Sequence, residues 1–348
     1  MLRRLAFIAL AGACWSTAAA QDGREPYPDP RLRPAEKIEG QLPAEGKPQA
    51  AKPAARPDIY SETADARGAV AAALDKARAE NRRVLIQWGA NWCGWCHLLH
   101  EACAKDVGLR AKLRDEYDVV LIDVGRFNTN MELAEKFGAK LKESGIPYLT
   151  VLSAEGKVLA NQETGSLEVK GQPKHDPKAV LEFLTKHQAP PLSAESVLAE
   201  AMSRAKVDDQ LVLVRWGAPW CGWCHKMDAW LAREDVKLLI GKDYLNVKID
   251  QDRMTGGKEL LAKHGGAGKG IPWFVVLDPA TGKTLATSDG PKGNVGFPAA
   301  PEEIEHFTDI LTKTAKRLSP ADIKTLARSL EPVKDARPDA PAGDGGHR

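Results

Sequence analysis

Cysteine is scarce in this chain, with 6 in 348 residues, and aromatic side chains make up only 6% of it. So few cysteines exclude a small scaffold stapled by many disulfides, which needs them scattered through its loops. Net charge is nearly absent as well. Of 49 Lys and Arg, Arg3 and Arg4 fall in an opening segment with no acidic residue, and the rest equal the 47 Asp and Glu. The basic excess that would hold nucleic acid or another polyanion is therefore missing. No apolar run is long enough to span a bilayer, and even Leu5–Ala13 is too short. Apolar content is ordinary at 43%, and the length suits about two domains, each able to bury a core.

The N-terminus reads as an export signal: a basic Met1–Arg4, the apolar Leu5–Ala13, and an Ala18–Ala20 cleavage site before Gln21. This predicts a signal peptide over 1–20 and a periplasmic product. Leu10–Cys14 resembles a lipoprotein box, so a lipid anchor at Cys14 is the alternative. Cleavage after Ala20 is preferred because Trp15–Ala20 supplies a normal cleavage region. Residues 21–57 are rich in Pro, Ala, Glu and Lys without apolar periodicity and read as a disordered, semi-extended linker. The tail over 333–348 reads the same way.

Between these ends the sequence repeats. Val84–His97 recurs as Val212–His225 at an offset of 128, Leu121–Asp123 as Lys248–Asp250, and Ser144–Tyr148 as Lys269–Trp273. Two copies of one α/β domain are expected, over 58–188 and 192–330, meeting at the helix-breaking Ala189–Pro191. Each copy is predicted as helix, strand, helix, strand, helix, hairpin, helix, which makes a central mixed sheet flanked by helices. In the first copy the predicted helices are Asp65–Asn81, Cys96 to about Tyr117, Asn128–Glu143 capped by Asn128, and Pro177–Lys186. In the second they are Ser193–Lys206, Cys224–Ile240, Lys258–His264 and Pro301–Thr314.

Without Cys14, the cysteines are two Cys-x-x-Cys pairs, Cys93/Cys96 and Cys221/Cys224, plus Cys103. In each pair a buried strand feeds a short loop, and the pair opens a helix. The first sulfur then faces unpaired backbone N–H groups and the positive end of the helix dipole, which favours its thiolate. A thiolate is the nucleophile of disulfide exchange, and the second cysteine is near enough to release a mixed disulfide. Cys93 and Cys221 are thus predicted attacking thiols, and Cys96 and Cys224 resolving thiols. His97 and His225 follow the resolving cysteines and are candidates for proton transfer; solvated helix-surface histidines are the plainer reading. Trp92, Trp95, Trp220 and Trp223 flank the sulfurs and are candidates for an apolar peptide-binding surface, whereas Trp88 and Trp216 lie on strands and suit the core.

Trp-Cys-Gly-x-Cys after an apolar strand, with Gly-Ile-Pro downstream in both copies, resembles the thioredoxin superfamily. Trp-Cys-Gly-Trp-Cys is more similar to its exported bacterial branch than to thioredoxin proper. The resemblance implies that Ile146–Pro147 and Ile271–Pro272 carry cis-prolines beside the disulfides, the preceding residue pairing with substrate backbone. It implies an exported enzyme exchanging disulfides with protein thiols or disulfides, a further redox partner, and no cofactor beyond the cysteines. The superfamily's buried Asp, six residues before the first Cys, is replaced by Gln87 and Arg215, so proton transfer must come from elsewhere.

Three rival readings follow from the same residues. Cys-x-x-Cys-His also attaches haem c, but a haem protein does not need the preceding strand or the Ile-Pro, and Met131 has no counterpart in the second copy as an axial ligand. Cys93, Cys96, His100 and Cys103 have permissible zinc spacing, yet Asp228 and Leu231 stand at the last two positions in the second copy. Cys103 is then read as a small buried hydrophobe. A redox-sensitive binding or chaperone module with structural disulfides is the non-enzymatic alternative.

Overall fold

The computed structural model describes residues 56–331. The expected signal peptide, the Cys14 anchor, nearly all of the linker and the C-terminal tail lie outside the described residues.

The first half opens with α1 (Ala66–Glu80), started by Asp65 accepting from the Arg67 and Gly68 amides. It continues through β1 (Arg83–Gly89), α2 (Gly94–Lys105), α3 (Val107–Glu116), β2 (Tyr117–Asp123), α4 (Met131–Lys136), α5 (Leu141–Ser144), β3 (Tyr148–Leu152), β4 (Val158–Glu163) and α6 (Pro177–His187). The sheet order is β2-β1-β3-β4, with β1 parallel to β2 and antiparallel to β3. The second half repeats the plan with α7 (Ala194–Val207), β5 (Leu211–Gly217), α8 (Gly222–Ala232), α9 (Glu234–Ile240), β6 (Tyr244–Asp250), α10 (Gly257–Lys263), β7 (Trp273–Leu277) and β8 (Thr284–Thr287). Its sheet order, β6-β5-β7-β8, is the same. It then adds a small ribbon, β9 (Asp289–Gly290) with β10 (Gly293–Asn294), and the helices α11 (Pro301–Thr314) and α12 (Pro320–Leu330).

The fold is thus α/β with two four-stranded mixed sheets flanked by helices. Strands β1 and β5 are central, so both faces are covered, and their sequences run apolar rather than alternating. Trp88 and Trp216 are wholly buried, their indole N–H groups donating to Thr150 Oγ1 (2.9 Å) and the Gly257 carbonyl (3.1 Å).

Three expected helices are interrupted. Asp106 turns extended (φ −72°, ψ 124°) and caps α3 through Leu109 N–H, so the run from Cys96 becomes α2 and α3. Arg233 (φ −61°, ψ 134°) breaks the second run into α8 and α9. Asn128 is not a helix cap: its Oδ1 accepts the Arg126 amide at 2.8 Å and shapes a loop. Helix α4 starts at Met131 and ends before Gly138, whose φ of +69° stops it. Helix α12 was not expected. Ser319 and Asp322 cap it reciprocally, and it buries Leu326 and Leu330.

The two halves are tied together by Arg253. Its guanidinium donates to the Glu80 and Asn81 carbonyls (3.0 and 2.7 Å) and pairs with Glu116 at 3.0 Å.

Candidate active site

Each cysteine pair sits where its central strand ends and a helix begins. Cys93 is the N-cap of α2 and Cys221 that of α8, and in both pairs the first sulfur accepts the amide of the second cysteine at 3.1 Å. The strand fixes the loop and the helix terminus supplies N–H donors, so the position favours a negative sulfur. Cys93 bonds Cys96 and Cys221 bonds Cys224. Cys93 and Cys221 as residues keep a little exposure (5% and 4%), while Cys96 and Cys224 are sealed. That order of access suits attack by the first cysteine and resolution by the second.

Ile146–Pro147 and Ile271–Pro272 are both cis. The Ile146 carbonyl oxygen lies 3.5 Å from Cys93 Sγ, and that of Ile271 3.5 Å from Cys221 Sγ. Trp92, Trp220 and Trp223 are about half exposed around the openings. Trp92 Nε1 donates to the Gly125 carbonyl and Trp220 Nε1 to Asp252, at 2.8 and 2.7 Å, which fixes each ring on the loop after the neighbouring strand. Trp95 is half-buried, edge-on to His175 at 5.4 Å between centroids. The structure therefore brings each Ile-Pro segment to its cysteine pair and packs Trp95 against the first pair, while Trp223 lies against Phe297 and Lys226. His97 and His225 lie on the flank, each Nε2 donating at 2.8 Å to a backbone carbonyl, of Asn91 and Pro219 respectively.

The surroundings of the two resolving sulfurs differ. In the first half, Gln87 Nε2 donates to the Tyr60 hydroxyl at 2.9 Å, and Tyr60 packs on both cysteines with Leu121 beside it. Burial pushes the Tyr60 phenol well above its ordinary range. Tyr60 is held by Asn91, whose Oδ1 accepts the Ile59 and Tyr60 amides. In the second half, Arg215 pairs with Asp228, and Lys248 Nζ reaches the other Asp228 oxygen at 2.6 Å. Burial pushes the Asp228 carboxyl up, but Arg215 and Lys248 outweigh it and hold the group below its usual range.

Tyr60, Asn91, Asp228 and Lys248 were not singled out by motif reasoning. Lys248 was nevertheless visible as the counterpart of Leu121, and Asn91 as that of Pro219. Cys103 packs beside the apolar cluster of Leu99, Leu109 and Val180, its thiol pushed up to about 12 by burial and then by Asp106. His100 is exposed, and among the described residues no three His, Cys, Asp or Glu side chains are grouped to hold a metal ion.

Comparison with known proteins gives the following. Residues 70–171 match a family model described as a thioredoxin-like domain. Residues 177–316 match the DsbH-type thioredoxin model, described as a protein of unknown function, DUF255. No curated protein matches. Among solved structures, a disulphide isomerase from Xylella fastidiosa Temecula1 is 31% identical over 37% of this chain and 95% of its own, with a TM-score of 0.33. A DsbH oxidoreductase is 24% identical over 35% of this chain and 83% of its own, with a TM-score of 0.25. A thioredoxin from Thermus thermophilus is 20% identical over 36% and 88%, with a TM-score of 0.27.

Proposed function

The chain belongs to the thioredoxin superfamily, and on that premise we propose that it is an exported thiol–disulfide oxidoreductase acting on protein cysteines through two sites. The observation that carries this reading is the doubled arrangement of a cysteine with slight residual exposure at a helix N-terminus and its disulfide partner sealed beneath. A structural disulfide has no need of such an arrangement, which makes one sulfur attackable and poises the other to displace it.

In the reducing direction, the Cys93 thiolate attacks a substrate disulfide, forming a mixed disulfide and releasing one substrate thiolate, which takes a proton. Cys96, losing its own proton, then attacks Cys93 Sγ, and the second substrate sulfur leaves and is protonated. Two electrons pass to the substrate and the Cys93–Cys96 disulfide remains. Cys221 and Cys224 act in the same way, and the oxidising direction is the reverse. Trp92, Trp95, Trp220 and Trp223 supply apolar surface for an extended segment, which pairs with the backbone at Ile146–Pro147 and Ile271–Pro272. The cysteines carry the electrons, so the reaction calls for no other cofactor. Export to the periplasm rests on the sequence of residues 1–20. No helix among the described residues is long and apolar enough to cross a membrane.

Insulin disulfide reduction, followed by turbidity with dithiothreitol as electron source, tests the proposal. Wild-type protein is expected to accelerate it, and Cys93→Ser with Cys221→Ser to abolish the acceleration. Undiminished turnover in the double variant would overturn the catalytic reading.

A further inference from the structure

The glycine that ends each central strand, Gly89 or Gly217, borders the resolving sulfur, and the same point in space can be compared in the two halves. A methyl group on Gly89 would lie 2.9 Å from Cys96 Sγ and 2.2 Å from the Tyr60 hydroxyl. On Gly217 it would lie 3.3 Å from Cys224 Sγ and 3.8 Å from Lys248 Cε. The space beside the resolving sulfur is thus taken by a neutral phenol in one half and by a lysine stem in the other. Behind the phenol stand Gln87 and Leu121, neither charged. The cation on that side, Arg56, lies over Gly94 on the outer, Cys93 side of the loop, its Nη1 3.8 Å from where a methyl on Gly94 would be, and not beside the resolving sulfur. Behind the lysine stand Asp228 and Arg215, so that group of three carries one net positive charge. Asp123 and Asp250 end β2 and β6 alike, and His97 and His225 hold matching positions; Asp250 differs in that Arg253 lies 4.0 Å away, which offsets its charge.

We infer that Cys221–Cys224 is the more oxidising of the two disulfides, and that Lys248 sets the difference. A disulfide is neutral, but its reduced form can carry a thiolate, which a partly buried cation such as Lys248 stabilises and a phenol stabilises less. Stabilising the reduced form raises the reduction potential. Equilibration therefore converts a Cys93/Cys96 dithiol and a Cys221–Cys224 disulfide into a Cys93–Cys96 disulfide and a Cys221/Cys224 dithiol. Two electrons and two protons change place, and nothing else is consumed. Lys248 is a tuning residue here, and the inference deepens the oxidoreductase reading by ordering its two sites.

The full chain is equilibrated with glutathione in two forms, one with Cys93→Ser and Cys96→Ser, the other with Cys221→Ser and Cys224→Ser. The remaining pair is read by acid quenching and thiol alkylation. The second site is expected to be half reduced at a [GSH]²/[GSSG] about tenfold lower than the first, which corresponds to about 30 mV. Lys248→Leu, which installs the residue of the first half, should bring the two midpoints to within about threefold. Lys248→Arg should keep them apart, and Lys248→Gln serves if the leucine variant does not fold. Coincident or reversed midpoints, or a midpoint unmoved by loss of the lysine, would overturn the inference. These midpoints involve no protein substrate, so they stand or fall apart from insulin turnover.

Discussion

Gln87 and Tyr60 form a buried hydrogen bond directly beneath the first disulfide, with the two residues only 5% and 3% exposed. Replacing Tyr60 by Phe keeps the ring against Cys93 and Cys96 but strands the Gln87 amide without that acceptor. A buried donor left unpaired costs about 1–3 kcal/mol, more than the roughly 1 kcal/mol net value of the bond itself. Gln87→Leu likewise leaves the phenol without its donor and should destabilise by a similar amount. The double variant removes both polar partners, and such a replacement can be nearly neutral. The expected pattern is therefore two costly single variants and a double variant that recovers more than about 1 kcal/mol of their sum. Urea unfolding followed by tryptophan fluorescence, with both disulfides kept oxidised, measures the three differences. If the double variant equals the sum of the singles to within about 0.5 kcal/mol, the bond is not coupled and the reasoning fails.

Two further predictions concern the whole chain. Arg253→Ala removes two bonds to carbonyls and an ion pair whose side chains are 13% and 14% exposed; breaking so enclosed a pair costs about 3–5 kcal/mol. Scanning calorimetry should then resolve a single transition into two, and an unaltered single transition would contradict the tie. Burial raises the phenols of Tyr60, Tyr117 and Tyr244, the last to about 12 from an ordinary 10.0. Folded-state values above the unfolded ones mean that this stability is complete below pH 10 and is lost as pH rises through the folded values. Urea midpoints should hold up to about pH 10 and fall between pH 10 and 12, and a flat midpoint over that window would refute the assignment.

Much of the fold was legible because the repeat tests itself. Val84–Trp88 and its copy announced buried central strands, and the cysteines that follow marked the helix starts. Helix interiors were less legible. Asp106 and Arg233 break helices by a local change of ψ, which side-chain periodicity does not register; α12, by contrast, carried its Ser319-Pro320-x-Asp322 start and its Ile323, Leu326 and Leu330 spacing in the sequence and was overlooked. At the site, the cysteines and the Ile-Pro segments could be read because chemistry fixes their types and order. Tyr60 could not, since its role depends on Asn91 holding a segment from 31 residues upstream against the redox loop. Gln87 and Arg215 were noticed for what they replace, but their partners became visible only when β1 could be set against Tyr60 and β5 against β6 and α8.

The Arg253 tie also sets which ends of the two halves meet. It grips Glu80, Asn81 and Glu116, next to the starts of β1 and β2, and Pro219 and His225 of the second site share a cleft there with Lys76, Arg82 and Asp118. Cys93 lies past the opposite end of β1, a seven-residue strand that spans about 23 Å. The two sockets are therefore stacked head to tail, the flank of one against the floor of the other, and their sulfurs stand a sheet's length apart. On the proposed function, exchange of electrons between the sites is expected to need a mobile carrier, and a rate independent of carrier concentration would refute that.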